Sequence, residues 1–309
     1  MNHHLAVVVL AAGAGTRMKS ETPKILHNLA GLSLIEHVLA TARALQPARL
    51  ITVLKHKQSE VESAMNGLAD DVEFITQSDT PGTGAALESA LETLTDFNGA
   101  VVVLSGDVPL MDVQTLNSLV DTHIESKAKV SLLTARVDNP AGYGRVIQKG
   151  KKLSIIEDRD CSEEQLQIKQ INAGVYVFDS YFLASALKQL DANNSQSEKY
   201  LTDVVSQAEE VSSVEVADNW LVAGINDRVQ LSEVAHELNL RIIKAWQLSG
   251  VTVIDPSSTW LDVTVQLGED VAIEPNVQLR GGTGRSSTRN RQSAGSKPSR
   301  YNGTANLKN

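Results

Sequence analysis

The sequence is short of cysteine and of long apolar runs, and each shortage excludes a class of protein. Cys161 is the only cysteine among 309 residues, so an intrachain disulfide and a cysteine cluster for zinc are both excluded. No apolar stretch approaches the roughly 18 residues that a membrane helix needs. Residues 1–4 carry no lysine or arginine, whereas a secretory signal opens on basic residues. We therefore expect a cytoplasmic protein without a membrane partner.

Positive charge is also scarce over most of the chain. The formal net charge is −9, yet residues 280–309 contain seven Lys/Arg and no Asp/Glu, which leaves 21 basic and 37 acidic residues in the first 279. Such an acidic body argues against a nucleic-acid surface. We expect no nucleic-acid partner, and an anionic ligand would have to be bound by a few locally placed cations.

What the chain does contain is an alternation of apolar strands with helical patterns. Strands are predicted at residues 5–11, 49–55, 72–77, 100–109 and 129–137. Helices are predicted at residues 33–46, 58–66, 84–94 and 112–125. A βαβ series implies a mostly parallel sheet covered on both faces. Such sheets bind ligands beyond the carboxyl ends of their strands, so the residues that follow each strand are the candidates for a site.

The pattern changes after residue 138. Residues 142–158 predict a hairpin, residues 171–179 another strand, and residues 238–248 the end of a long helix. Val265, Val271 and Val277 recur every six residues, which indicates two rungs of a hexapeptide β-helix, although three or more repeats are normally needed for stability. The Gly/Ser/Arg-rich residues 280–309 predict disorder. A nucleic-acid-binding tail is the less favoured alternative, and an interrupted coding sequence is a third.

The first strand leads into a glycine-rich loop in the stretch "LAVVVLAAGAGTRMKSETPK", residues 5–24. Met18 stands where a dinucleotide fingerprint, and also a P-loop, would need a further glycine. What remains is a turn whose N–H groups can face an anion, followed by Arg17 and Lys24. Two fixed cations would brace phosphates and offset charge in a phosphoryl-transfer transition state. The alternative is a surface turn with two solvated side chains.

Polar residues follow two more of the strands. The amide of Gln77 can read a base edge, and the helix that opens at Gly82 and Thr83 offers free N–H groups, unless Thr83 is only a helix cap. Asp107 follows the strand "VVVLS", where a carboxylate can hold Mg²⁺ beside a nucleotide because Mg²⁺ takes one or two protein oxygens plus phosphates and water. The alternative for Asp107 is a turn aspartate.

Four later residues lie beside apolar runs: Gly142, Glu157, Asn172 and Asn226. Glu157 can accept hydrogen bonds from sugar hydroxyls, or it is one charge in the "EDRD" turn. Asn172 can read an amide or a hydroxyl, or it is polarity at a strand edge. Asn226 can supply a neutral metal oxygen, or it belongs to a helix cap in a capping-box spacing. Taken singly, each of these residues favours the structural interpretation.

Taken together, the motifs resemble a known family. "LAAGAGTRMKSETPK" resembles the signature loop of sugar-nucleotide pyrophosphorylases, and "QSDTPGTGAA", "LSGDVPL", "NPAGYGRVI" and "NNSQSEKYLTDVV" are similar to bacterial N-acetylglucosamine-1-phosphate uridylyltransferases, the N-terminal half of a bifunctional enzyme. The resemblance covers residues 5–279. It implies an α/β, Rossmann-like (GT-A-like) nucleotidyltransferase domain at 1–228, a linker helix at 229–248, the truncated start of a left-handed β-helix at 249–279, and a basic tail at 280–309.

The resemblance also implies a reaction and a set of site residues. UTP and N-acetylglucosamine 1-phosphate would give UDP-N-acetylglucosamine and pyrophosphate, with Mg²⁺ as cofactor, for cell-envelope synthesis. The implied roles are base recognition by Ala11, Ala12, Gly13, Gln77, Gly82 and Thr83; phosphate binding by Arg17 and Lys24; Mg²⁺ binding by Asp107 and Asn226; and sugar binding by Gly142, Glu157, Asn172, Tyr200 and Thr202.

The chain departs from the family in two places. Some relatives carry an aromatic residue where this chain has Ser105. The family continues into a long β-helix that transfers acetyl groups and forms trimers, whereas the hexapeptide pattern stops here near Leu279, so we expect uridylyl transfer alone and leave trimer formation open. Other hypotheses are a nucleotidyltransferase for another base or sugar, a non-catalytic nucleotide-sensing domain, and an interaction protein that uses the basic tail.

Overall fold

A computed structural model of the chain describes residues 4–149, 152–194, 196–281 and 284–285. The strands are β1 Leu5–Leu10, β2 Asn28–Leu29, β3 Leu32–Ser33, β4 Arg49–Leu54, β5 Glu73–Thr76, β6 Ala100–Ser105, β7 Val130–Arg136, β8 Arg145–Lys149, β9 Lys152–Ile156, β10 Gln170–Asp179, β11 Val211–Val216, β12 Thr252–Val253, β13 Trp260–Leu261, β14 Gln266–Leu267, β15 Ala272–Ile273, β16 Gln278–Leu279 and β17 Gly284–Arg285. The α-helices are α1 Leu34–Ala44, α2 Gln58–Met65, α3 Thr83–Ala90, α4 Val113–Ser126, α5 Glu163–Leu166, α6 Ser180–Leu187, α7 Thr202–Gln207 and α8 Arg228–Leu248.

The main sheet has the strand order β11-β7-β10-β6-β1-β4-β5. All of these strands run parallel to one another except β10, which is antiparallel to both β6 and β7. The hairpin β8–β9 joins the sheet through β10. The predicted mostly parallel α/β sheet is therefore confirmed. The carboxyl ends of β1, β4, β5 and β6 meet at one edge, where the polar loops begin.

Alternate residues of β1 pack into two different cores. Val7 and Val9 face α1, α2 and α4 on one side of the sheet, whereas Ala6 and Val8 face α3, α6 and α7 on the other side. Both faces are buried because the crossover helices cover them, which explains why the strand is apolar at every position. The loops at the strand ends are consequently held by a sheet that is packed on both sides.

The short strands after α8 do not join the main sheet; they pair in parallel with one another, as successive turns of a β-helix do. Leu261 pairs with Leu279 and Gln266 with Gly284, a separation of 18 residues, or three hexapeptides. The pairing begins at Thr252, so the rungs start before the first valine of the repeat seen in the sequence. Asn239 connects α8 to these strands, because its amide nitrogen donates to the Thr259 carbonyl at 2.7 Å and its amide oxygen accepts from the N–H of Leu261.

Several predicted boundaries shift. The strand predicted at 100–109 ends at Ser105, because the chain turns there and Val108 donates to the Ser105 carbonyl. The helix predicted at 84–94 begins at Thr83 and tightens into a 3₁₀ turn from Leu91 onward. The linker helix predicted at 229–248 begins at Arg228, after an Asp227 cap. The tail predicted at 280–309 lies almost entirely outside the described residues.

No helix in the described ranges combines the length and the apolarity that a membrane crossing requires.

Candidate active site

The glycine-rich loop after β1 is shaped by the approach of Lys24. Gly15 has a φ of 63°, and a Cβ built on it would lie 2.7 Å from the Cβ of Lys24. A larger residue at this position would be strained both by its backbone conformation and by this contact. The glycine lets the chain fold back, so that Lys24 returns beneath the loop to the end of the sheet.

Lys24 lies at the centre of a polar cluster. Its ammonium group forms an ion pair with Asp107 and donates to Asn226 Oδ1 at 3.2 Å. Arg17 donates to the same Asn226 oxygen at 2.9 Å. The N–H of Ile225 donates to the Asp107 carbonyl at 2.9 Å, which fixes the segment before α8 beside the end of β6. Four predicted residues from distant parts of the sequence are thus brought together.

The structure also separates Asn226 from the helix cap. Asp227 caps α8 by accepting hydrogen bonds from the N–H groups of Val229 and Gln230. Gln230 in turn accepts from the N–H of Asn226 at 2.7 Å. The capping role thus belongs to Asp227. The side-chain oxygen of Asn226 is directed to the two cations instead.

The oxygens of Asp107 and Asn226 suit a hard divalent cation. Both contact the Lys24 ammonium, so they converge on one cation-sized position. The described residues contain no group of three or more His, Cys, Asp or Glu side chains that could enclose a metal. One carboxylate and one amide oxygen match the sparse protein donor set of Mg²⁺, which completes its shell with phosphates and water.

A cavity of about 510 Å³ opens beside this cluster at the carboxyl edge of the sheet. Its lining includes eight of the residues predicted from the sequence, namely Ala11, Ala12, Gly13, Lys24, Gln77, Gly82, Thr83 and Asp107. Arg17 and Asn226 adjoin it through the hydrogen bonds to the cluster. A volume of this size falls in the range of sites for nucleotides and other small ligands.

The residues that are predicted to recognise the base differ in whether their polar atoms are free to bind a ligand. The N–H of Ala11 donates to the Val53 carbonyl and extends the pairing of β1 with β4. Gln77 donates from its amide nitrogen to the carbonyls of Thr80 and Gly82 at 2.8 and 3.3 Å. Because these bonds use the donors of Gln77, its carbonyl oxygen is the atom left to accept from a base N–H.

The loop around Gly82 is closed by a distant segment. Gly82 has a φ of 110°, and a Cβ on it would lie 2.3 Å from the Lys199 carbonyl oxygen. Thr83 does not cap α3; its hydroxyl accepts from the N–H of Leu201 at 3.1 Å. The cap interpretation of Thr83 is therefore wrong. Residues 199–201 therefore hold the loop around Gly82, where the base is predicted to bind, next to the start of α7.

Glu157 directly follows β9 of the β8–β9 hairpin and is not among the residues that line the cavity. Thr202 donates its hydroxyl to Glu157 Oε1 at 2.9 Å. Burial raises the pKa of Glu157, the Thr202 hydrogen bond lowers it, and the nearby carboxylates of Asp203, Asp160 and Glu198 raise it further. A partly desolvated carboxylate with one fixed partner is a strong acceptor for a ligand hydroxyl.

Asn172 is buried in a bulge of β10. Its amide nitrogen donates to the Tyr176 hydroxyl at 2.6 Å, and its oxygen accepts from the N–H of Gly174. A Cβ on Gly174 would contact Ser105 Oγ at 3.5 Å, and Ser105 lines the cavity. Asn172 does not line the cavity; it is connected through Gly174 to Ser105, which does.

The remaining predicted sugar residues differ in exposure. Gly142 has a φ of 83°, and a Cβ on it would meet nothing within 4 Å, so the loop faces open space. Tyr200 is buried, and its hydroxyl accepts from Gln196 at 2.6 Å. A role for Tyr200 in sugar binding stays a prediction, since its hydroxyl already has a partner in the fold.

Three titratable residues that line the cavity were not predicted from the sequence as site residues: Lys55, His56 and Glu198. Lys55 and His56 directly follow β4, so the rule that ligands bind beyond the strand ends would have found them. Lys55 donates to the carbonyls of Ser78 and Asp79, which braces the loop after β5. Glu198 has no such signal, because it reaches the cavity from an irregular segment.

A family comparison agrees with this geometry. The model of the MobA-like NTP transferase domain matches residues 7–211. The chain belongs to this family. The matched range includes the glycine-rich loop, the cavity and the sugar-side residues, and stops before Asn226.

Curated relatives extend the match beyond this domain. The chain is 50% identical over 284 residues to the bifunctional protein GlmU of Clavibacter sepedonicus, and 47% identical over 289 residues to that of Mycobacterium tuberculosis strain H37Ra. Each match covers 90% of this chain and 58% of the relative, so the chain spans little more than half the length of these relatives. The predicted resemblance to the bifunctional family is confirmed.

Solved structures support the fold. A protein from Entamoeba histolytica assigned as a UDP-N-acetylglucosamine pyrophosphorylase matches with a TM-score of 0.65 and 12% identity, over 90% of this chain and 93% of that one. A protein from Bacillus anthracis assigned as a glucose-1-phosphate thymidylyltransferase matches with a TM-score of 0.61 and 19% identity, over 75% and 94%. At these identities the likeness concerns the nucleotidyltransferase fold alone.

Proposed function

We propose that this chain transfers a uridylyl group from UTP to N-acetylglucosamine 1-phosphate, releasing pyrophosphate. The observation that carries the proposal is the convergence of Arg17, Lys24, Asp107 and Asn226 at the mouth of the cavity. Two cations, together with two side-chain oxygens of kinds that bind Mg²⁺, lie beside a nucleotide-sized cavity, and this arrangement suits phosphoryl transfer. The family and the curated relatives support the same reaction class.

The sugar phosphate needs no general base, because it is already an anion. One of its phosphate oxygens attacks the α-phosphorus of UTP, a new P–O bond forms, and the bond to the β-phosphate oxygen breaks as pyrophosphate leaves. Lys24 and Arg17 lie where they would hold the phosphates in line and offset the charge on the leaving group. The cavity wall at Gln77 and Gly82 would hold the base.

Asp107 and Asn226 would hold Mg²⁺. When bound, the cation would neutralise charge on the phosphate oxygens. The Lys24 ammonium contacts both oxygens, so a phosphate brought to the cation would also lie within reach of Lys24.

The sugar end of the proposal rests on Glu157, Thr202, Asn172 and Gly142. The half-buried carboxylate of Glu157 and the buried amide of Asn172 offer acceptors and a donor for sugar hydroxyls and for an acetamido group. A site of this kind rejects analogues that lack the matching group, because its own polar atoms would then be left unpaired.

The test is pyrophosphate release from purified full chain with Mg²⁺, across the four nucleoside triphosphates and with the 1-phosphates of N-acetylglucosamine, glucosamine and glucose. We expect release with UTP and N-acetylglucosamine 1-phosphate. Faster turnover of another pair would assign a related nucleotidyltransferase instead. UTP binding without turnover of any pair would indicate a nucleotide-sensing domain. The cytoplasmic location stays a prediction.

A further inference from the structure

Arg145 is a charged side chain in the core, and it is outside the cavity. It is only 1% exposed and is among the largest fully buried side chains of the described residues. Its guanidinium donates to the Tyr143 carbonyl and, at 2.8 Å, to Asp158 Oδ1. Its Nε finds no hydrogen-bond partner in the described residues. A buried charge with an unsatisfied donor opposes folding, so its presence requires an explanation.

The partners of Arg145 adjoin sugar-side residues. Tyr143 follows Gly142, and Asp158 follows Glu157. The β-pairing also places Arg145 opposite Ile156 of β9 and opposite Ile171 of β10. Ile156 precedes Glu157 and Ile171 precedes Asn172, so the backbone of Arg145 pairs with a neighbour of each of these predicted sugar-binding residues.

The same strand end is bonded directly to Asn172. The N–H of Asn172 donates to the Gly144 carbonyl at 2.8 Å. A Cβ on Gly144 would lie 3.5 Å from Glu157 Oε2. The residue that precedes Arg145 thus bonds to the backbone of Asn172 and lies close to Glu157, so a shift of the β8 start would move these two residues relative to one another.

Tyr143 also lies near the segment that precedes Asn226. Burial raises the pKa of the Tyr143 phenol, a backbone hydrogen bond with Gly224 lowers it, and the charge of Asp107 raises it. Arg145 donates to the carbonyl of Tyr143 and so fixes the backbone at this position.

We propose that Arg145 is a positioning residue that sets the affinity of the site for the amino sugar, by clamping Tyr143 and Asp158 so that Gly142, Glu157 and Asn172 keep one mutual geometry. The inference rests on the proposed function for the identity of the sugar. Arg145 does not line the cavity, so its effect passes through the clamped residues. Among the described residues, no hydrogen bond joins this clamp directly to Gln77, Gly82 or Thr83, so we expect the affinity for UTP to change little.

The test variant is Arg145→Lys, which keeps the charge but loses the planar fork that reaches two acceptors at once. Calorimetry measures Kd for UDP-N-acetylglucosamine and for UTP, and initial rates give KM for N-acetylglucosamine 1-phosphate and for UTP. We expect the sugar nucleotide Kd and the sugar phosphate KM to rise about tenfold, because small misplacements of positioning groups have effects of this order or larger. Both values for UTP should change by less than about twofold.

The matched control is Arg241→Lys. Arg241 of α8 also bonds two acceptors, Asp218 and Glu237 at 2.7 Å each, away from the cavity. We expect it to leave the ratio of sugar nucleotide affinity to UTP affinity unchanged. Asp158→Asn is the second test variant, since Asp158 is partly exposed and the amide oxygen of asparagine can still accept a hydrogen bond from Arg145. It should raise the sugar nucleotide Kd in the same direction, by a smaller factor.

An equal loss of UTP and sugar nucleotide affinity in both clamp variants, or no loss in either, would overturn the positioning role. If Arg145→Lys fails to fold, Asp158→Asn decides between these outcomes. A wild-type chain that binds UTP but not UDP-N-acetylglucosamine would overturn the proposed function and this inference with it. A wild-type chain that shows the expected affinities, with clamp variants that do not separate them, would overturn this inference alone.

Discussion

The proposed site has a phosphate end and a sugar end, and these two ends hold their polar groups in different ways. At the phosphate end, Lys24, Asp107 and Asn226 form a charged cluster on loops that follow parallel strands. At the sugar end, the Glu157–Thr202 and Asn172–Tyr176 pairs are hydrogen bonds carried by antiparallel strands and by α7. Lys24 and Asp107 keep 11% and 22% of their side chains exposed, whereas Asn172 and Thr202 are buried.

This difference suggests a division of labour. Charges that can change partners suit a step in which charge moves, because they stabilise the transition state more than the ground state. Fixed hydrogen bonds to buried partners such as Asn172 and Thr202 suit the selection of one sugar, since a mismatched ligand leaves polar groups unpaired. Substitutions at the phosphate end should therefore lower kcat, and substitutions at the sugar end should raise KM for the sugar phosphate.

The largest effect is expected for Asp107→Asn. The variant removes the carboxylate that neutralises Lys24 and that would hold the metal. We expect kcat for pyrophosphate release to fall about a thousandfold, with Mn²⁺ binding, measured by electron paramagnetic resonance, weakened as well. The control is Asp112→Asn, an equivalent change at the cap of α4, where Asn caps as well as Asp. Equal losses in the two variants would contradict the assignment.

A smaller loss is expected for Lys24→Gln. The variant keeps a hydrogen-bond donor but loses the charge that would offset the leaving pyrophosphate, so kcat should fall about a hundredfold. Initial rates at saturating substrates measure this. Lys169→Gln, which breaks only an exposed pair with Asp138, serves as the control. A change confined to KM for the sugar phosphate would break the division between the two ends.

At the sugar end, Glu157→Gln should raise KM for the sugar phosphate about tenfold while kcat and KM for UTP stay nearly constant, because a neutral amide accepts more weakly than a carboxylate. Steady-state kinetics with each substrate varied in turn measure the split. Glu163→Gln, an exposed change at the start of α5, should have no effect. A fall in kcat as large as that of Lys24→Gln would argue against the division.

The smallest effect is a pH dependence of stability at the sugar end. Burial raises the pKa of Glu157 in the folded chain above its ordinary value of 4.5. The folded state therefore holds this proton more tightly, and the resulting stability is present below pH 4.5 and lost as the pH rises through the raised pKa. Urea unfolding of Glu157→Gln should lack this loss between pH 4.5 and pH 8. Parallel curves for wild type and variant would contradict the raised pKa.

The sequence predicted the fold better than its boundaries. Apolar runs separated by helical patterns sufficed for the parallel sheet, because both faces of each strand are buried. The strand predicted to reach Pro109 stops at Ser105, since a turn hydrogen bond, which carries no hydrophobic signal, ends it. The valines of the hexapeptide repeat indicated the β-helical rungs, but the parallel pairing begins earlier, at Thr252, in a stretch without regularly spaced valines.

The candidate residues were found in part by position and in part by resemblance. Arg17, Lys24, Gln77 and Asp107 follow strands, so the general rule for α/β sheets points to them. Arg145 could not be found in this way, because an arginine at the start of a predicted strand is normally interpreted as an exposed surface charge.

The order of strands and helices and the residue types at each strand end follow from local features of the chain, because hydrophobic periodicity and glycine placement are local properties. Which of those residues meet depends on the packing of distant segments. Asn226 lies 202 positions beyond Lys24, yet its oxygen contacts that ammonium because Ile225 bonds to the Asp107 backbone. Contacts of this kind depend on how distant segments pack, and no local pattern encodes them.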